Sequence, residues 1–195
     1  MEVAAVLLAG GRGSRLGGVD KGALRLDGST LVERALDALQ GVPTVVVGDR
    51  GAWADARQDV LVVREEPPLS GPAAAVLTGI AALPAADEVL LLAVDVVRLP
   101  AAVPVLLAAE RGPAGVVAVD RDGRDQWLLG RYDGAALRAA AQHLGDPAGA
   151  SLRSLLAGLD LARLPLPASL TGDVDTLADA RAAGVGLPEP WEEHR

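Results

Sequence analysis

Residues 3–28, VAAVLLAGGRGSRLGGVDKGALRLDG, constrain the fold more than any other stretch of the chain. Val3, Val6, Leu7 and Leu8 form a short apolar run rich in β-formers, the pattern of a strand buried on both faces. Gly10, Gly11, Gly13, Gly17 and Gly18 follow at once, interleaved with Arg12, Arg15 and Lys21. Glycine lets a backbone turn sharply and bring its N–H groups close to a ligand, and successive N–H groups in such turns make an anion-binding concavity. Arginine adds a forked donor and lysine a point charge. A buried strand running into a cationic glycine loop is a polyphosphate cradle, with Arg12, Arg15 and Lys21 as side-chain donors to several phosphate oxygens.

Two common nucleotide loops are eliminated by spacing. A G-x-G-x-x-G loop would use Gly11 and Gly13, but its closing position is Leu16, and no helix pattern follows immediately. A P-loop needs Gly-Lys-Ser/Thr, whereas Lys21 follows Asp20 and precedes Gly22.

Beyond the loop, strand and helix patterns alternate. Ala23–Leu26 is extended and turns at Asp27-Gly28. Thr30 and Glu33 have capping-box spacing ahead of a helix to Gln40. Strands are expected at Thr44–Val47, Val60–Val63, Val89–Val94, Gly115–Val119 and Ala162–Leu166, and helices at Ala52–Arg57, Pro72–Leu83, Ala101–Arg111, Ala135–Leu144, Ser151–Leu159 and Leu177–Ala183. Gln126–Tyr132 is extended and reads as a hairpin arm or an antiparallel edge. This alternation is that of an α/β domain whose parallel sheet is covered on both faces. No composition break marks a second domain, so 1–184 reads as one domain. Pro188, Pro190 and the acidic end make 185–195 a flexible C-terminal tail.

Composition removes several classes of function. With a net charge of −8 and a pI near 4.7, the chain lacks the basic footprint of a nucleic-acid binder. It has no cysteine, hence no disulfide and no thiolate metal site. No apolar run reaches the ~18 residues of a membrane span, and no basic leader precedes the first strand, so the expected location is the cytoplasm. His143, His194, Trp127 and Ser151 stand without the partners that catalysis would need.

Two sets of carboxylates remain. In open α/β sheets ligands sit outside the carboxyl ends of strands, where both the glycine loop and Asp95 fall. A carboxylate after a buried strand is costly without a partner, and a polyphosphate on the same rim calls for Mg²⁺. Asp95 is therefore a candidate metal ligand. Asp173 and Asp175 form D-x-D before the last helix; locally, a helix cap and a metal ligand are equally good readings.

Leu8-Ala9-Gly10-Gly11, then Arg15-Leu16-Gly17-Gly18, then Asp20-Lys21, resembles the signature loop of the MobA-type nucleotidyltransferases, the molybdenum cofactor guanylyltransferases. The resemblance spans residues 3 to 183. It implies a Rossmann-like three-layer αβα sandwich with a mostly parallel central sheet, of the nucleotide-diphospho-sugar transferase type. It also implies Mg²⁺-dependent transfer of GMP from GTP to molybdopterin with release of pyrophosphate. Carried over by position, Leu8, Ala9, Gly10, Gly11, Gly13, Lys21, Gly48, Glu66, Gly71 and Asp95 would contact substrate, with Glu65 competing for the place of Glu66. Asp95, joined by Asp175, would hold the metal, and Arg15, Lys21 and Asp95 would carry catalysis. The partners implied are GTP, the pterin cofactor and transiently a molybdoenzyme or delivery protein, around a monomer or weak oligomer. The chain departs from the family at three points: Asp95-Val96-Val97 replaces Asp-x-Pro, Gly48 replaces an asparagine, and a glutamate replaces an aspartate at 66. Another phosphorylated acceptor, such as a sugar phosphate, and a catalytically weak nucleotide-binding module are the alternatives.

Overall fold

The computed structural model describes residues 1–10, 19–51 and 53–188. Strand β1 (Val3–Leu8) lies at the middle of the molecule. A 3₁₀ turn (Lys21–Ala23) and the short hairpin β2 (Arg25–Leu26) and β3 (Ser29–Thr30) lead into helix α1 (Leu31–Ala38). The capping box forms as its spacing predicts: Glu33 N–H donates to Thr30 Oγ1 at 3.2 Å, and Thr30 N–H donates to Glu33 Oε2 at 2.8 Å. Then come β4 (Thr44–Val47), α2 (Trp53–Ala56), β5 (Leu61–Val63), α3 (Pro72–Ala82) and β6 (Glu88–Ala93). The second half holds α4 (Leu99–Ala108), β7 (Gly115–Val119), β8 (Asp125–Asp133), α5 (Gly134–Leu144), α6 (Leu152–Leu156), β9 (Ala162–Pro165), α7 (Ala168–Thr171) and α8 (Leu177–Ala183). Among the described residues no helix is long and apolar enough to cross a membrane.

Seven strands form one sheet in the order β5-β4-β1-β6-β8-β7-β9. All neighbours are parallel except β8, which runs against both β6 and β7. Gln126–Tyr132 is thus the arm of a hairpin, as expected, but not an edge: β8 lies inside the sheet, with β7 and β9 beyond it. The long connection through β7 crosses over first, and the hairpin then folds back into the gap beside β6. The helix expected at Ala101–Arg111 starts earlier, at Leu99, because Pro100 fits a helix's first turn, where its missing N–H costs nothing.

The sheet is covered on both faces. Alternate residues of β1 divide between two cores, as period-two geometry requires. Ala5 and Leu7 join Leu36 of α1 and Leu106 of α4 on one side. Val6 and Leu8 join Val76 of α3, Leu137 of α5 and Leu156 of α6 on the other. Mostly aliphatic side chains fill both cores, and Tyr132 is the fully buried ring among them; its hydroxyl donates to the Trp127 carbonyl at 2.8 Å. Helix α3 lies close on β1 and β4 because Gly79 has no Cβ, which would come within 2.4 Å of Val6 Cγ1 and 2.9 Å of Val47 Cγ2. That close seat brings the Gly71-Pro72 start of α3 to the carboxyl rim of the sheet. In the segment 185–195, Val185 is buried and Gly186 exchanges two backbone hydrogen bonds with Arg25, at 2.9 and 2.7 Å.

Candidate functional site

Each parallel strand hands its chain to the rim with a backbone bond to its neighbour. Ala9 N–H donates to Val47 O, Gly48 N–H to Val63 O and Val94 N–H to Leu8 O, each at 2.9 Å. The exits of β1, β4, β5 and β6 therefore stay level and open on one side. A cavity of about 310 Å³ lies there, with Leu8, Gly10, Lys21, Glu65, Gly71 and Asp95 in its wall. Leu128 of β8 closes the far side. It gets there because β8 bulges: Val117 pairs with Gly130 but Ala118 with Gln126, leaving Trp127–Leu129 without partners on β7.

Lys21 reaches this rim through a short device. Asp20 caps the 3₁₀ turn by accepting Gly22 N–H at 2.9 Å, which turns the next side chain inward. Burial raises the Asp20 pKa, with Gly22 N–H pulling it back and the charge of Asp49 adding to the rise. Lys21 Nζ then stands 2.7 Å from Asp95 Oδ2 and 2.5 Å from Asp175 Oδ1. Burial acts to lower the lysine pKa, but the charges and hydrogen bonds of Asp95 and Asp175 outweigh it, and the net shift is upward. The group is an ammonium at any physiological pH.

Asp175 comes from a loop stitched directly beneath Asp95. Val174 N–H donates to Asp95 O at 3.1 Å, and Val97 N–H donates to Gly172 O at 3.3 Å. The second bond needs an N–H at position 97, which the proline of Asp-x-Pro would not provide. The departure at Val97 thus serves to tie the late loop to the strand tip. The cap of α8 is Thr176, whose Oγ1 accepts Asp179 N–H at 3.2 Å while Asp179 Oδ2 accepts Thr176 N–H at 2.8 Å. Asp173 and Asp175 are therefore not needed as caps. Asp173 is the third acid here; burial, then the charges of Asp95 and Asp175, raise its pKa.

Of the residues singled out in the sequence, Leu8, Gly10, Lys21, Gly71 and Asp95 line the cavity together, and Ala9 is buried between two of them. Glu66 is exposed and off the wall; Glu65 takes that place, with Oε1 accepting Leu69 N–H at 2.9 Å. The run Glu65-Glu66 carries no periodicity that could separate them. Gly48 is not in the wall. A Cβ there would lie 2.8 Å from Gly10 N and 2.9 Å from Ala9 C, so it supports the β1 exit from below. The sequence reading misses Asp20 as a cap and Thr176 as the α8 cap, although D-x-G and T-x-x-D are both capping patterns. Gly11, Gly13 and Arg15 lie outside the described residues.

A divalent ion fits this donor set in part. Asp95 and Asp175 converge on one point from two elements, which suits a hard cation that takes one or two carboxylates and completes its shell with phosphate and water. Among the described residues no group of three acids or imidazoles forms a closed metal cage. The pair can hold a metal that arrives with a phosphate.

A family model described as the MobA-like NTP transferase domain matches residues 5–164. The molybdenum cofactor guanylyltransferase of Acidiphilium cryptum (strain JF-5) is 36% identical over 148 residues, 73% of this chain and 73% of that protein. The crystal structure of molybdopterin-guanine dinucleotide biosynthesis protein A from Archaeoglobus fulgidus superposes with a TM-score of 0.58 at 18% identity, covering 94% of this chain and 96% of that one. The 2-C-methyl-D-erythritol 4-phosphate cytidylyltransferase of Thermus thermophilus gives 0.61 at 20% identity over 94% and 97%. At those identities the two structures speak for the fold alone.

Proposed function

This chain belongs to the MobA-like NTP transferase family, and from that premise we propose that it transfers GMP from GTP to the terminal phosphate of molybdopterin, releasing pyrophosphate. The observation that carries the reading is the meeting of Lys21, Asp95 and Asp175 at the mouth of the cavity formed by the strand exits. An acceptor phosphate oxygen attacks the α-phosphorus, and the bond from that phosphorus to the bridging oxygen of the β-phosphate breaks. The nucleophile is already anionic, so the protein's work is alignment and charge neutralisation. Lys21 donates to the triphosphate, joined by the N–H groups of the loop from Gly10. Arg15 adds a second cation to the same phosphates. Asp95 and Asp175 would hold Mg²⁺, which supplies positive charge against the phosphate oxygens when bound.

The base fits between Leu8, Glu65 and the start of α3, where a carboxylate suits the N–H donors of guanine. The pterin lies against the outer side of the bulged arm of β8, whose Leu128 forms the wall between it and the nucleotide cavity. The reading carries with it a cytoplasmic location, a monomer or weak oligomer, and passing contact with the protein that receives the product. The test is pyrophosphate release from GTP, CTP and ATP, each with Mg²⁺, against molybdopterin and a sugar phosphate. Turnover is expected with GTP and molybdopterin, and it should fall ~10²-fold or more in Lys21→Ala, as for loss of a donor to transition-state charge. Equal use of the three nucleotides, or turnover with the sugar phosphate alone, overturns the proposal.

A further inference from the structure

Lys21 is the only lysine among the 18 Lys and Arg residues of the chain. A composition that leans so far toward arginine has kept an ammonium at this one place. The two groups differ in a way the geometry exposes. A guanidinium grips a carboxylate with a planar fork, whereas an ammonium is a compact point charge whose three donors turn freely from one partner to another. Lys21 Nζ sits between Asp95 Oδ2 and Asp175 Oδ1, at 2.7 and 2.5 Å, with side chains 19%, 20% and 46% exposed at Lys21, Asp95 and Asp175. These are the oxygens that a divalent ion would take. Two cations in one half-buried place repel strongly, so the lysine and the metal exclude each other unless something draws the ammonium aside.

A triphosphate is what can do so. Its oxygens offer the ammonium new anionic partners within side-chain reach of the same rim, and they complete the coordination of an incoming metal. We infer that Lys21 is a displaceable internal counter-ion: it closes the Asp95–Asp175 pair to free metal and yields that pair only to a metal–triphosphate complex. The site thus recognises a nucleoside triphosphate already carrying its cation, not metal and nucleotide one after the other. An arginine could not serve, because its fork would hold the carboxylates against the exchange. The inference rests on the proposed use of the site for a metal-bound nucleotide and adds the order in which the components enter.

Equilibrium dialysis against Mn²⁺, with and without GTP, tests it on the whole chain without reference to turnover. Nucleotide-free Lys21→Met should bind Mn²⁺ at least ~10-fold more tightly than nucleotide-free wild type, because a cation has been removed from beside the metal's place. GTP should bring the wild type to tight uptake. Equal affinity of the two nucleotide-free proteins overturns the exchange and leaves the proposed function standing; a wild type that retains no Mn²⁺ even with GTP overturns both. Should the variant fail to fold, wild type labelled with ¹⁵N-lysine gives a single side-chain resonance. It should stay put when Mg²⁺ is added alone and move when GTP follows; a shift with Mg²⁺ alone overturns the inference.

Discussion

Glu65 and Glu66 are neighbours in sequence with unlike surroundings. Glu65 faces the cavity, and its Oε1 accepts the Leu69 N–H, which fixes the direction in which the carboxylate points. Glu66 is exposed to solvent. If a carboxylate reads guanine, Glu65→Gln should weaken GTP binding ~10-fold or more, the cost of losing a charged hydrogen-bond acceptor, while Leu69 keeps an amide oxygen to donate to. Glu66→Gln should leave the affinity unchanged. Titration of both variants with GTP by calorimetry checks this, and equal losses would remove the assignment. Lys21 shows why the same site holds its charge across working pH. Its pKa is raised on folding, so the stabilisation is complete below the ordinary lysine value and fades only as pH climbs through a still higher one. No inflection of GTP binding near neutrality should trace to this side chain.

The elements that sequence patterns describe best are those with a local cause. Strand β1 and the Thr30–Glu33 cap both follow from period and spacing. The place of β8 does not, because an alternating strand looks alike at an edge and inside a sheet, and only the crossover from β6 through α4 decides which gap stays open. The site divides along the same line. Lys21 and Asp95 are legible because a glycine loop and a strand tip each declare themselves. The release of Asp175 from capping is not, since it depends on Thr176 and Asp179 finding each other. Gly48 reads in sequence as a missing asparagine, yet its reason lies in an element distant along the chain. The exits of β1 and β4 pass so closely that a Cβ would press on backbone atoms of Ala9 and Gly10, which cannot swing away as a side chain would. Gly48→Ala should therefore shift Ala9 and Gly10, where β1 leads into the glycine-rich stretch. The expected result is a folded protein with pyrophosphate release reduced on the order of 10²-fold, as for a small misplacement of catalytic groups. Normal turnover would mean that the loop tolerates the push.

Across the whole molecule the two ends of the sheet have different work. At the carboxyl end charges gather half-exposed, where a ligand can reach them. At the other end Glu88 opens β6 almost fully buried, with Arg131 of β8 at 3.4 Å and Arg111 at 3.2 Å. Arg131 also donates to Leu107 O at 2.9 Å and Ala109 O at 2.7 Å, closing the end of α4. This network joins the parallel strands to the antiparallel insert and to the helix between them. A buried carboxylate is expensive to desolvate, so what it gives is fixity of those three elements through their paired charges. Glu88 and Asp95 lie at opposite ends of β6, whose five steps from Glu88 to Ala93 alone span about 17 Å at ~3.3 Å per residue, beyond the screening length of physiological salt. Glu88→Gln should accordingly cost about 3 kcal/mol, since it leaves Arg131 buried without its counter-charge. It should lower Tm by several degrees while leaving GTP affinity, measured well below the melt, within ~2-fold of wild type. A loss of affinity with an unchanged melt would show that the two ends are coupled through β6, and that the exits of the strands depend on how the other end is held.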